Sequence, residues 1–123
     1  MGRFADVVVE HLQSPYHRRR LAAANAIGRS GSPSSGPRVE LFLKIVGNNV
    51  AEASFEAAGC GVTIAASSYL TEWIEGRDVA ACLAIDGALL SRELGGLPGD
   101  KQYCAELAVA ALRDALKGFA ELR

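Results

Sequence analysis

The sequence predicts an α+β fold: a small antiparallel sheet of about three strands packed against helices. Three observations point there. Two runs with period-two hydrophobic alternation flank a Gly-Asn-Asn turn near the middle of the chain, helical spacing appears on both sides of them, and the last helical run carries a continuous apolar stripe. Strands and helices are thus segregated along the chain, the pattern of a sheet layer against a helix layer.

Taken in order, Phe4, Val7, Val8 and Leu12 recur at helical spacing, and Ser14-Pro15 ends that first short helix. From Arg18 to Pro37 the chain becomes Ala-rich and then Gly/Ser/Pro-rich. Gly28 to Pro37 reads as a mobile loop, and any strand in this region is short and lies at an edge. Val39, Leu41, Leu43 and Ile45 alternate with Glu40, Phe42 and Lys44. Beyond Gly47-Asn48-Asn49, Ala51, Ala53, Phe55 and Ala57 alternate with Glu52, Ser54 and Glu56, which makes an antiparallel hairpin. Gly59-Cys60-Gly61 closes the second strand, and a helix follows through Ile64, Ala65, Tyr69, Trp73 and Ile74 to Gly76. Asp78 caps a short helix containing Val79, Cys82, Leu83 and Ile85; a second short segment spans Gly87 to Leu94 before Gly95-Gly96-Leu97-Pro98-Gly99 breaks the chain. The last helix starts near Asp100, buries Leu107, Ala108, Ala111, Leu112, Ala115, Leu116 and Phe119, and holds Cys104 in its first turn.

With 123 residues, half of them hydrophobic, the chain fits one domain (1–123) with a single modest core. Thirteen basic against fourteen acidic residues leave a net charge of -1, so the balance gives no reason to expect nucleic acid or an anionic membrane as partner. The run His17-Arg18-Arg19-Arg20 reads as a solvated loop, with a docking patch as the alternative. No apolar stretch approaches membrane-spanning length, which predicts a cytoplasmic protein without direct membrane insertion. Three cysteines are an odd number in a chain with a workable core, so reduced thiols are expected rather than a disulfide framework.

Among candidate residues, glycine-flanked Cys60 has no packing reason to be cysteine, and a metal, sulfur or redox role stands beside inertness. Cys104, near a helix N-terminus, has a dipole that favours its thiolate. Cys82, within Ala80-Ala81-Cys82-Leu83-Ala84, reads as core. His11 reads as a packed or capped histidine and Trp73 as a packing anchor.

The segment Ala58-Gly59-Cys60-Gly61, followed by Ile64-Ala65-Ala66-Ser67-Ser68 and Thr71-Glu72-Trp73, resembles the signature of the IscU/NifU-like iron-sulfur cluster assembly scaffolds. Leu97-Pro98-Gly99-Asp100-Lys101 followed by Cys104 is similar to a second stretch of that family, so the resemblance covers nearly the whole chain. It implies a two-iron cluster held by three cysteines, assisted by an aspartate and a histidine, with Cys60 and Cys104 at the second and third cysteine positions. Ser35 falls where the first cysteine belongs, Pro37 replaces the aspartate and Tyr103 the histidine. Iron held by sulfide favours thiolates, a proline side chain ligates nothing, and a phenol ionises only near pH ~10 unless a metal drives its proton off. Asp100, one helical turn before Cys104, is a candidate oxygen ligand, with an N-cap role as the alternative.

The resemblance further implies that Cys104 accepts sulfur and that Leu97, Pro98 and Lys101 belong to a partner-binding stretch recognised by a chaperone; Gly99 and Asp100 depart from that stretch. The expected function is a non-enzymatic scaffold or carrier. Cys60 and Cys104 would bind an iron-sulfur cluster, iron or zinc, and the partners would be a cysteine desulfurase and recipient iron-sulfur proteins. The alternative is a noncatalytic accessory subunit or adaptor of a larger iron-sulfur or respiratory complex that reuses the fold and binds no cofactor. A third reading is redox sensing by a Cys60-Cys104 pair.

Overall fold

A computed structural model describes residues 5–13, 18–32 and 36–121. Phe4, Ser14, Pro15, His17 and Ser35, and the side chain of Leu12, lie outside the described residues. The elements run α1 (Asp6–Gln13), β1 (Ala26–Gly31), β2 (Arg38–Val46), β3 (Asn49–Ala58), α2 (Gly61–Ile74), α3 (Val79–Leu83), α4 (Gly87–Glu93) and, after a 3-10 turn at Gly99–Lys101, α5 (Gln102–Glu121). The three strands form one antiparallel sheet in the order β1-β2-β3. Helices α2 and α5 pack on one face of it, α1 lies on α2, and α4 lies on α5.

The β2-β3 hairpin follows the alternation: Val39, Leu41, Leu43 and Ile45 face the helices and are buried. Gly47, with φ +62, supplies the left-handed residue of the two-residue turn. The alternation of β3 shifts at its start, however. Lys44 pairs with Glu52 and Ile45 with Val50, so Ala51 is an extra residue that bulges outward, and Val50 takes the core place expected of Ala51. The hairpin tip is tied to the chain after α2, where Val50 N–H donates to Arg77 O at 2.9 Å and Gly76 N–H to Val50 O at 2.8 Å.

Gly28 to Gly31 form most of β1, where the composition predicts a loop. The strand is at the edge, as expected, and α5 makes it possible. A Cβ on Gly28 would lie 2.0 Å from Ala111 O and 2.3 Å from Ala115 N, so the absence of a side chain lets the helix backbone lie directly on the strand. Ser30 Oγ donates to Leu107 O at 2.6 Å and Arg29 N–H to Asp114 Oδ2 at 2.9 Å, which fastens α5 to β1.

Arg18, Arg19 and Arg20 run along the sheet with their charges paired: to Glu56, Glu52 and Glu40 respectively, while Arg20 also stacks over Phe42 at 4.9 Å. The three arginines and their glutamates thus neutralise one another on this face of the sheet. Among the described residues no helix is long and apolar enough to cross a membrane.

Candidate functional site

Three local features bring Cys60 and Cys104 together. Gly59 adopts φ +130, a conformation that favours glycine, and its missing side chain leaves room for Pro37, whose Cβ would stand 3.0 Å from an added Cβ. The chain thereby turns out of β3 and sets Cys60 as the N-cap residue of α2, half-buried at the rim of the core. The 3-10 turn at Gly99–Lys101 then starts α5 so that Cys104, in its first turn, is fully buried against α2. The two sulfurs stand 3.7 Å apart as free thiols.

Two further groups complete the cluster. Tyr103, 41% exposed, places its hydroxyl 3.6 Å from Cys60 Sγ. Thr63 places its Oγ1 3.7 Å from Cys60 Sγ and donates to Cys104 Sγ at 3.4 Å. Burial by itself would raise the Cys60 thiol, but hydrogen bonds from the Tyr103 hydroxyl, the Thr63 N–H and hydroxyl, and the Cys104 thiol outweigh it and hold the pKa down at about 6. Cys104 is pushed the other way, by burial first and by the neighbouring Cys60 as well, against opposing hydrogen bonds from Thr63 and Tyr103. The pair is therefore asymmetric: an accessible thiolate at the rim beside a buried neutral thiol.

Hydrogen bonding to Cys60, and then to Cys104, raises the Tyr103 pKa above that of an ordinary phenol, so it acts as a proton donor to sulfur. Pro37 sits beside Gly59 and shapes the turn. Tyr103, Pro37 and Leu107 line an open, mainly apolar depression of about 490 Å³ whose lining includes neither thiol. Among the described residues no group of three or more His, Cys, Asp or Glu side chains is arranged to hold a metal ion, so Asp100 does not join the two cysteines.

Leu97, at the start of the stretch before α5, is held in place on all sides. Its side chain is buried in the core, its N–H donates to Ser91 Oγ at 3.0 Å, and its carbonyl accepts from Gln102 Nε2 at 2.6 Å. Pro98 and Lys101 are half-buried at the surface. Cys82 is core, with burial pushing its thiol up to about 11. His11 is a packed histidine: Nδ1 lies 2.6 Å from Ser68 Oγ, and the ring meets Tyr69 edge-on at 5.5 Å. Trp73 packs against the core with Arg77 stacked 3.9 Å above its ring.

Thr63 is the residue the sequence reading missed. The signal available was its place three residues after an N-cap cysteine, which turns a side chain back toward the cap.

Sheet, helix layer and thiol pair together define an α+β domain of the IscU/NifU class. The chain belongs to the NifU-like N-terminal domain family, whose model matches residues 3–123. It is 33% identical over 113 residues to iron-sulfur cluster assembly scaffold protein IscU 1 of Archaeoglobus fulgidus, covering 92% of this chain and 74% of that protein. It is 32% identical over 120 residues to the iron-sulfur cluster assembly scaffold protein IscU of Azotobacter vinelandii, covering 94% and 93%. In fold it is similar to the crystal structure of the N-terminal part of a nitrogen-fixing NifU-like protein from Brucella abortus, with TM-score 0.76, 19% identity, and coverage of 97% of this chain and 95% of that one.

Proposed function

We propose that this chain is a scaffold-type carrier in iron-sulfur cluster assembly, in a reducing cytoplasmic compartment, and that Cys60 and Cys104 are its cargo site. The observation that carries this reading is the spacing of the sulfurs. Two thiolates bound at ~2.3 Å to one tetrahedral metal stand roughly 3.8 Å apart. Cys60 and Cys104 stand 3.7 Å apart before any metal arrives. The pair is preorganised to take one iron or zinc ion with little rearrangement.

Two thiolates fill half of a tetrahedral shell, and a two-iron cluster needs four protein ligands. Pro37 supplies no ligand, so further donors come from a partner chain during transfer. Such partners are a cysteine desulfurase on the supply side and apo iron-sulfur proteins on the receiving side. The protein has no turnover of its own in this role; it accepts and hands on. The loss of donors at positions 37 and 103 also supports a second reading, an accessory subunit docked on a larger iron-sulfur complex, with the thiol pair vestigial.

Anaerobic reconstitution with iron and sulfide, followed by quantification of bound iron and acid-labile sulfide, separates the two. The carrier reading expects weak binding of one metal ion per chain, abolished in Cys60→Ser and in Cys104→Ser. Equal iron in wild type and both variants would reject it and favour the accessory reading.

A further inference from the structure

We infer that Asp114 guards the free edge of β1, where its carboxylate keeps the strand from pairing with the β1 strand of a second copy of this chain. The inference does not depend on the thiols. It starts from the backbone groups that a sheet leaves over on its two outer strands, which are a template for another strand unless something covers them.

The two edges are closed to different degrees. Along β3 the cover runs the length of the strand. Val50 N–H donates to Arg77 O and Val50 O accepts from Gly76 N–H, while Ala53 N–H donates to Glu75 Oε2 at 3.1 Å. Phe55 is bridged by the backbone of Arg18, whose guanidinium donates to Ala57 O at 3.3 Å. Along β1 the cover is a single side chain. Arg29 sits opposite Glu40 in the ladder, yet its N–H donates to Asp114 Oδ2 at 2.9 Å. That N–H therefore points off the sheet, and by the period of two of an antiparallel ladder the N–H groups of Ile27 and Gly31 point the same way. Among the described residues no strand or bridge lies along this side of β1. Asp114 thus holds the middle of three outward-facing donors.

Other features of β1 favour a second strand. It is six residues long, and Ile27, one position from the Gly28 that packs on α5, is 41% exposed. A strand paired antiparallel with its own copy about a two-fold axis matches donors to acceptors whatever its sequence. Asp114 opposes this in two ways: it occupies the N–H that an incoming carbonyl needs, and it puts a carboxylate on each side of the seam, where two like charges would meet. The Arg29 guanidinium is engaged by Glu40. Gly31, the last residue of β1, lines the depression walled by Tyr103 and Pro37, so a second strand laid along β1 would end at that rim.

The test measures the mass of the reduced wild-type chain and of Asp114→Ala by size-exclusion chromatography with light scattering over a concentration series, and follows amide hydrogen exchange across residues 26–31. In this variant Ser30 Oγ on Leu107 O and the close packing of Gly28 still fasten α5 to β1, and thermal unfolding checks that it folds. Should it not fold, Asp114→Ser, whose side chain is too short to reach Arg29, takes its place. Wild type is expected to keep the mass of one chain at every concentration. Asp114→Ala is expected to shift to twice that mass as concentration rises, with exchange across 26–31 slowing in parallel. Ile27→Lys added to Asp114→Ala puts a charge on the open edge and is expected to return the single-chain mass. A wild type already paired through β1, or a folded Asp114→Ala that stays at single-chain mass throughout, would overturn the inference. So would association that leaves exchange across 26–31 unchanged or that Ile27→Lys does not reverse.

Discussion

The Tyr103 hydroxyl lies 3.6 Å from the Cys60 sulfur and is the donor in that contact, so a neutral phenol stands beside a thiolate where the family resemblance implies a histidine ligand. This one contact is the principal cause holding the Cys60 thiol below its ordinary range. Tyr103→Phe removes the donor and leaves the ring. The Cys60 titration then moves upward, and alkylation near neutral pH slows by a factor of roughly three to ten, measured with iodoacetamide and peptide mapping.

The pH profile of the wild type follows from the same shift. The thiolate is the reactive form, so Cys60 alkylation is expected to rise through an inflection at about pH 6 and level off above it. Because the folded-state pKa is depressed from 9.0 to about 6, ionisation of Cys60 adds stability that is fully present above about pH 9 and is lost as pH falls through about 6. Thermal unfolding of wild type against Cys60→Ser across that window isolates the contribution.

Gly28→Ala tests the packing of α5 on β1. Its added Cβ meets backbone atoms Ala111 O and Ala115 N at 2.0 and 2.3 Å, which no rotamer change relieves. A loss of about 3 kcal/mol in urea unfolding is expected, the upper end for overpacking, because a backbone must move.

His11 joins α1 to α2 through Ser68 Oγ at 2.6 Å, with Nε2 3.7 Å from Glu72 Oε1. His11→Ala removes the buried hydrogen bond to Ser68 Oγ and the edge-on packing on Tyr69, and is expected to cost about 1–3 kcal/mol while leaving metal binding at the thiols intact. Unfolding and iron binding measured on the same variant check both halves.

The hairpin and the helices were legible because Val39, Leu41, Leu43 and Ile45, and the stripe from Leu107 to Leu116, carry unambiguous periods. The bulge at Ala51 was not, since Val50 and Ala51 are both apolar and nothing local says which one turns inward. Strand β1 was hidden because Gly28-Arg29-Ser30-Gly31 has loop composition; its reason to extend lies more than eighty residues away in α5. The Cys60-Cys104 pairing spans 44 residues, and only the resemblance connected the two. Exposure decides that Leu97 is core and that Cys60, not Cys104, meets solvent, and exposure follows from tertiary packing.

Restoring donors tests why the site is limited. Ser35→Cys, Pro37→Asp and Tyr103→His combined bring back the thiol, carboxylate and imidazole that the family resemblance implies. Iron and acid-labile sulfide retained after desalting are expected to rise at least about tenfold over wild type. No gain would mean that the donor set is not what limits cluster retention.

The most direct test of the pair as the working site is site-resolved alkylation of all three cysteines, anaerobically near neutral pH, with and without iron and sulfide. The account predicts that Cys60 reacts at least about tenfold faster than Cys104 and Cys82 in the free protein and is protected when cargo is added. Equal reactivity of Cys60 and Cys104, or a Cys60 that cargo leaves unprotected, would contradict it.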